Sequence, residues 1–292
     1  VDWPSPVVST GALSVPARLR VGYQGEPGAY SEEALLALFP DAEPVGRRNF
    51  TLTIDALFAG EVDLDVIPVE NTLGGIVQEA NDLLWERRGL RLVREHVHPI
   101  RHCLLGFSGA PVRRAISHPQ ALAQARHWLE SRGIEPVPHY DTAGAARDLA
   151  LHPEAGLAAI AGVAAARRYG LEVLAEGIQD DDSNQTRFLV VERGRPVRPG
   201  EAAPASKCSL CFVAAHAPGS LVAALQCLSS RGVNLTRLEA RPIPSQPFEY
   251  RFFLDFQIGP ESGAPEVAEA ALRELESATH EVRLFGAYTA FA

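Results

Sequence analysis

Four polar clusters stand at the ends of apolar, strand-like runs. LDVIPVENTLGG delivers Glu70, Asn71 and Thr72 into a loop, and ISHPQALAQ carries Ser117, His118 and Gln120, with Gln124 one helical turn beyond. HYDTAGAA carries Asp141 and Thr142, and NQTRFLVVER opens on Thr186, Arg187 and Phe188. One such cluster would serve as a helix cap, because a side-chain oxygen satisfies a free N–H at a helix start. Four of them, dominated by neutral hydrogen-bonding groups, suggest a polar crevice for a small oxygen-rich molecule. Their place is the carboxyl end of strands, where open α/β sheets bind ligands. Gly22, Gly25 and Gly28 add a loop between a strand and a helix. The spacing lacks the G-x-G that admits a pyrophosphate, so a dinucleotide is not expected, although a loop ending at Gly28 can wall a small anion. For Ser31-Glu32-Glu33, just beyond that loop, capping of the next helix is the plainer reading.

Other chemistries find little support. Lys207 is the single lysine against 26 arginines, which removes a P-loop lysine and argues against a Schiff-base enzyme. Cys208 and Cys211 form a C-x-x-C inside the strand-like KCSLCFVAA, where a spacing of three sends the side chains to opposite faces. Together with Cys103 and Cys227 they read as small buried thiols of a reducing compartment. His96, His98 and His102 alternate as if on one strand face, but no carboxylate or thiol pattern completes a metal site, so a partly exposed histidine face is expected and no metal. A net charge of −9 argues against nucleic acid. No apolar run approaches the roughly 20 residues that span a bilayer, so no membrane is expected. The first 18 residues lack the order of a signal peptide and read as a flexible lead-in, with a cytoplasmic location as the default.

The elements that must position these groups emerge from periodicity. Strand-like ARLRVGYQG, LDVIPVEN, RLVREHVHPIRHCLLGF and TRFLVVER alternate with helical YSEEALLALF, IVQEANDLLWERR and two Ala-rich stretches, which predicts an α/β domain over 19–195. GRPVRPGEAAPAS then breaks the pattern, and 196–205 reads as a linker. Beyond it, 206–289 runs strand, helix, strand, strand, helix, strand, the ferredoxin-like order.

GYQGEPGAYSEEA, IPVENTLGG, ISHPQALAQ, DTAGAA and NQTRF occur in the order found in prephenate dehydratases and the related arogenate dehydratases, and the chain resembles that family over 19–289. The resemblance implies a catalytic domain of two α/β lobes, like a periplasmic binding protein, with the site in the cleft between them. A ferredoxin-like ACT regulatory domain should come after it, with a homodimer or homotetramer joined partly through it. Some relatives carry a chorismate mutase domain in front; about 20 residues precede the first strand here, so that activity is not expected.

The reaction implied is loss of CO2 and hydroxide from prephenate to give phenylpyruvate. Aromatisation drives it, so no cofactor is expected. By resemblance Thr186 assists the departing hydroxyl. Arg187 either clamps a substrate carboxylate or pairs with Asp180–Asp182, a run that otherwise reads as a solvated loop. Phe188 walls the ring. Asn71, Ser117 and Gln124 position the substrate; Glu70 is grouped with these catalytic residues and Asp141 with the substrate-binding ones, both as nearby acids. Thr72, His118, Thr142 and Gly28 complete the expected binding wall. L-Phenylalanine is the expected effector, at Gly219, Ser220, Leu221 and Val222, at Asn234 and Leu235, and at Glu239, Ala240, Arg241 and Pro242; Ser220 and Ala240 each depart from the family motif. Arogenate as substrate, or a non-catalytic amino-acid sensor, are the alternatives.

Overall fold

The structure, a computed structural model, describes residues 18–201, 205–244, 246–259 and 262–290. The lead-in over residues 1–18 lies, except for its last residue, outside the described residues. The first lobe contains β1 (Arg20–Gln24), α1 (Tyr30–Leu38), β2 (Glu43–Arg47), α2 (Phe50–Ala59), β3 (Leu64–Asn71), the short β4 (Gly75–Ile76), α3 (Gln78–Glu86) and β5 (Leu90–Pro99). The second contains β6 (Cys103–Gly106), β7 (Arg114–Ser117), α4 (Pro119–Gln124), α5 (Arg126–Glu130), β8 (Glu135–Pro138), α6 (Thr142–Leu151), β9 (Leu157–Ala161), α7 (Val163–Tyr169) and β10 (Glu172–Glu176). The chain then returns: β11 (Gln185–Arg193) inserts between β3 and β5, giving the first sheet the order β2-β1-β3-β11-β5. The second sheet runs β10-β6-β9-β7-β8.

The lobes are therefore joined by two crossings, one after β5 and one before β11. These crossings lie side by side, since the Ile178 N–H donates to the His102 carbonyl at 3.0 Å and the Ile100 N–H to that of Asn184 at 2.9 Å. Local sequence fixes the helices that flank them. Asn49 caps α2 by accepting from the Leu52 N–H at 2.9 Å, and Asp141 caps α6 by accepting from the Gly144 N–H at 2.6 Å. Pro119 opens α4 at a position that needs no N–H. At α1 the expected capping segment acts through Glu32, which reaches back to accept from the Gly28 N–H at 2.5 Å.

β3 bulges where it meets β11. Arg187 pairs with Glu70, but Phe188 pairs with Pro68, leaving Val69 as the extra residue. Pro68 has no N–H to donate, which explains why the ladder skips there. The freed Val69 carbonyl accepts from the Val77 N–H and from Asn81 Nδ2, tying the start of α3 to the bulge.

β12 (Lys207–Val213), α8 (Ser220–Ser229), β13 (Leu235–Ile243), β14 (Gln246–Gln257), α9 (Pro265–Ala278) and β15 (Glu281–Tyr288) form the C-terminal unit, with strand order β13-β14-β12-β15. In α9 the buried Ala268, Ala271, Leu272 and Leu275 make one helical stripe against the sheet. The other sheet face is apolar too: Cys211, Phe253, Phe285 and Tyr288 join the core of the first lobe with Leu57, Leu92, Leu189 and Val191. Cys208 faces the helices instead, so the C-x-x-C is split between two cores. The approach to this unit is also held: Arg198 pairs with Glu269 and Glu276 of α9, both at 2.9 Å.

Candidate active site

Asn71, at the end of β3, is the hub of the interlobe cleft. Its Oδ1 accepts from the N–H groups of Leu73 and Gly74 at 3.1 and 2.7 Å. Gln120 and Gln124, reaching across from α4, approach the same oxygen at 3.4 and 3.3 Å. Its Nδ2 donates to Asn184 Oδ1 at 2.9 Å, to the Gln185 carbonyl at 3.0 Å and to Thr186 Oγ1 at 3.0 Å. Backbone partners on both sides fix which amide atom is which. Thr186 Oγ1 is thus an acceptor toward Asn71, and its own proton is left to point elsewhere. Gly74 lets the lobes meet here, because a Cβ would sit 1.6 Å from Gln120 Nε2.

A second chain of bonds backs the first. Gln124 Oε1 accepts from Asn184 Nδ2 at 3.0 Å and from His102 Nε2 at 2.9 Å. A carbonyl oxygen can only accept, so the His102 proton is on Nε2 and its Nδ1 accepts from the Tyr30 hydroxyl at 2.8 Å. Burial holds the His102 imidazole below its usual range, against a smaller opposing contribution from Gln124. It is neutral at neutral pH.

These groups line a cleft of about 290 Å³. Ile76, Val77, Ile100 and Phe188 supply apolar wall, while Asn71, Gln120, Gln124 and Thr186 supply polar contacts. None of the described residues lining it is Asp, Glu, Lys or Arg. Residues at the N-termini of α1, α3 and α6 (Tyr30 and Ser31, Val77, and Thr142) all face the cleft. Glu32 and Asp141 already cap α1 and α6, whereas no side chain among the described residues caps α3, so the start of α3 is the terminus whose partial positive charge suits a carboxylate.

The whole arrangement is neutral, oxygen-oriented and poised around one hydroxyl. Comparison with known proteins agrees with that chemistry: residues 21–196 match the family model for prephenate dehydratase. The chain belongs to the prephenate dehydratase family. It is 40% identical over 300 residues to Arogenate dehydratase/prephenate dehydratase 2 of Arabidopsis thaliana, covering 98% of this chain and 77% of that protein. Among solved structures, prephenate dehydratase from Arthrobacter aurescens in complex with L-Phe superposes with a TM-score of 0.82 at 30% identity, covering 93% of this chain and 90% of that one. A structure described as GqqA, a novel type of quorum quenching acylase, gives a TM-score of 0.83 at 34% identity, covering 93% of this chain and 98% of that one. As a member of the prephenate dehydratase family the chain is a lyase acting on prephenate or arogenate.

Not every residue singled out in the sequence reaches the cleft. Arg187 does not clamp a substrate carboxylate and does not pair with Asp180–Asp182. Strand alternation turns it to the opposite face of β11 from Thr186 and Phe188, where it meets Glu95, Asp255 and Tyr288. Glu70, beside it on β3, likewise points away from Asn71 and lies 3.7 Å from Arg187. Ser117 is fully buried behind the cleft and donates to the Ile160 carbonyl at 2.6 Å, so it braces β7 on β9 and does not touch a ligand. Asp141 caps α6 and faces a neighbouring cavity of about 480 Å³ with Arg48 and Arg147, while Thr142 faces the cleft. Thr72 holds the returning chain, donating to the Ser183 carbonyl and accepting from the Gln185 N–H. His118 lines the cleft. Gly28, at φ +88°, lets the α1 loop approach Ala165, whose Cα a Cβ would meet at 2.8 Å.

The acidic run is an exposed loop, as expected, but it is tethered at two points. Asp180 accepts from the N–H groups of His127 and Trp128 at the start of α5, and Asp182 pairs with Arg101 at 2.8 Å. His102 is not part of an exposed histidine face, because the chain leaves β5 at Pro99 and carries it into the cleft. Gln120, in the expected ISHPQALAQ cluster, lines the cleft, while Tyr30, His102 and Asn184 are site residues that spacing alone did not assign.

In the C-terminal unit a cavity of about 280 Å³ opens at the start of α8, lined by His216, Ser220, Leu221, Glu249, Tyr250 and Phe252. Gly219, at φ +80°, turns the chain into that helix, and Val222 stands exposed beside it. The other effector candidates line no part of this cavity. Asn234 donates to Gln257, Leu235 packs on the helical core, and Ala240 lies across from Phe252 in the β13–β14 ladder. Glu239 pairs with Arg237, and Arg241, next to Pro242, pairs with Asp82 of α3 at 2.7 Å.

Proposed function

We propose that this chain converts prephenate to phenylpyruvate in preference to using arogenate, with L-phenylalanine as effector at a C-terminal ACT unit. The observation that carries the reading is the polarity of the Asn71–Thr186 pair. Asn71 donates to the threonine, so the threonine proton is free to meet the oxygen that leaves. In the reaction the bond from the ring to its carboxylate breaks and that electron pair enters the ring. The bond to the hydroxyl at the opposite ring carbon breaks and takes its pair out on oxygen. One proton turns that hydroxide into water, so the products are phenylpyruvate, CO2 and water. A threonine hydroxyl is a weak acid, and its contribution is a hydrogen bond that strengthens as charge develops on the oxygen. Ile76, Ile100 and Phe188 give the forming aromatic ring an apolar surface, and the start of α3, which no side chain among the described residues caps, faces a carboxylate.

Preference for the keto substrate comes from the charge of the cleft. Arogenate carries an ammonium group where prephenate has a carbonyl, and a desolvated ammonium needs a carboxylate partner. No acid lines the cleft among the described residues. The arogenate reading is favoured by the name of the Arabidopsis relative and by Asp141, one residue from Thr142. An acylase reading, raised by one structural relative, needs a nucleophile beside a base. Ser117 Oγ is committed to the Ile160 carbonyl, and Thr186 Oγ1 has no histidine among its hydrogen-bond partners.

The effector reading is supported by the βαββαβ order, by the α8 cavity and by the L-Phe complex of the Arthrobacter aurescens relative. Phe248 and Val222, 80% and 60% exposed on this unit, support assembly into a homodimer or homotetramer through it. Four free, buried cysteines support a cytoplasmic location.

The test is turnover of both substrates by the full-length chain with EDTA and without nicotinamide. Phenylpyruvate should form, with kcat/KM for prephenate above that for arogenate; a requirement for added metal or NAD, or an arogenate preference, would overturn the corresponding claim. Leu221→Trp, which fills the α8 cavity, should abolish phenylalanine inhibition while turnover continues. Undiminished inhibition would move the effector elsewhere.

A further inference from the structure

Arg187 sits one residue from Thr186 and touches nothing in the cleft. Its side chain is only 12% exposed and its guanidinium is held on three sides: Nε donates to Glu95 Oε2 at 2.7 Å, one terminal nitrogen to Asp255 Oδ2 at 2.6 Å, and the other to the Tyr288 hydroxyl at 3.0 Å. Lys207 donates to both oxygens of Glu95, at 2.7 and 2.9 Å, and Ser209 shares a 2.7 Å bond with Tyr288. Two cations and two carboxylates therefore meet in a buried cluster, with Glu70 at its more exposed edge, 3.7 Å from Arg187. Arg187 and Glu95 come from the catalytic sheet; Lys207, Ser209, Asp255 and Tyr288 come from the C-terminal sheet.

The cluster lies where the catalytic strand loses regular pairing on one side. The β3–β11 register breaks between Arg187 and Phe188, while the β11–β5 pairing runs unbroken from Gln185 to Val190. A bulge interrupts the regular bonds on the β3 side, so a side-chain anchor there adds to what holds the backbone. Across a planar trans peptide the neighbouring Cα is held about 3.8 Å away, and a shift of Arg187 carries Thr186 with it.

We propose that Asp255 and Tyr288 are positioning residues for Thr186, holding its hydroxyl in register with the departing oxygen by gripping Arg187 from the C-terminal unit. The dehydratase thus takes part of its active-site geometry from outside the catalytic domain. The inference rests on the reading of Thr186 as the donor to the leaving group.

The experiment compares kcat and KM for prephenate in full-length Asp255→Asn, Tyr288→Phe, Thr186→Val, and Tyr288→Phe combined with Thr186→Val, each checked by thermal melting. Tyr288→Phe keeps every charge and carries the test even where Asp255→Asn does not fold. Misplacing a reacting group by about 1 Å costs roughly 10²-fold, so Asp255→Asn should lose about that much kcat and Tyr288→Phe about tenfold, with little change in KM. In the Thr186→Val background Tyr288→Phe should cost under about twofold more, because the group it positions is gone. A full tenfold loss in both backgrounds would mark a general structural effect and overturn the proposal. So would parental kcat in a folded Asp255→Asn or Tyr288→Phe while Thr186→Val is impaired. Parental kcat in Thr186→Val would instead overturn the donor reading, and the positioning proposal with it.

Discussion

Asn71→Asp is the smallest change that reverses the polarity on which the chemistry depends. The parent side chain presents one oxygen to four donors and one NH2 to three acceptors. The substitution keeps the first set and inverts the second. A carboxylate oxygen then faces the Gln185 carbonyl and Asn184 Oδ1, acceptor against acceptor, and faces Thr186 as an acceptor. The threonine can satisfy it only by turning its proton away from the cleft. Losing one preorganised donor to a developing oxyanion costs about 10²–10³ in rate, or roughly 2.7–4 kcal/mol, and that is the expected loss in kcat at saturating prephenate. Two mismatched buried acceptors should cost about 1–3 kcal/mol each in stability, so the melting temperature falls while the protein still folds. KM should rise as well, because a negative charge enters a cleft that receives a dianion. The assay is phenylpyruvate formation under saturating substrate, with circular dichroism to confirm folding. A folded variant with parental kcat would refute the reasoning, because it would mean that the direction of the Asn71–Thr186 bond does not matter.

Two further outcomes are expected from the same geometry and from the core. Thr186→Val should lower kcat by about 10²-fold or more with a smaller change in KM, and Thr186→Ser should retain much more activity; parental kcat in the valine variant would remove the hydroxyl from the chemistry. Asp65 lies fully buried in β3 with neither carboxylate oxygen hydrogen-bonded among the described residues, and burial pushes its carboxyl from 3.8 up to about 7. The folded state therefore holds a proton that the unfolded chain has lost between about pH 4 and pH 7, and stability falls across that window and levels off above it. The loss amounts to as much as about 4 kcal/mol, so Asp65→Asn should be more stable than the parent at pH 8 and free of that slope in denaturant titrations; a parental slope would clear Asp65.

Much of the architecture was legible because it rests on local patterns. Strand ends loaded with Asn, Gln and Thr mark where buried strands meet loops, and the cleft does bring Asn71, Gln124, Thr142 and Thr186 together. The Pro- and Gly-rich stretch after β11 was readable as a change of unit, but not its attachment. The Arg198 pairs with Glu269 and Glu276 span more than 70 positions, and no periodicity reports them. Tyr30, His102 and Asn184 were missed for the same reason. Their roles arise where two crossings lie side by side, a juxtaposition that exists only once the chain has returned to its first sheet. His102 carried a misleading local signal as well, since His96 and His98 invited a continued alternation that Pro99 ends.

Arg187 is different, because the information needed to place it was in the sequence. On a strand, neighbours face opposite ways. If Thr186 and Phe188 look into a cleft, then Arg187 looks out of it, together with Leu189 and Val191. Those two are apolar and buried against Phe285 and Tyr288, which means that something covers that face. A cation beneath such a cover must be paired, and Asp255 on β14 is in reach only if the C-terminal sheet packs directly on the catalytic one. The assumption that misplaced Arg187 was that a cation beside a catalytic hydroxyl must serve an anionic substrate. Arg187 instead joins the two sheets, meeting Glu95 of one and Asp255 and Tyr288 of the other. One tripeptide thus performs two tasks: a hydroxyl and a ring aim at the ligand, and between them a charge fixes the strand from behind.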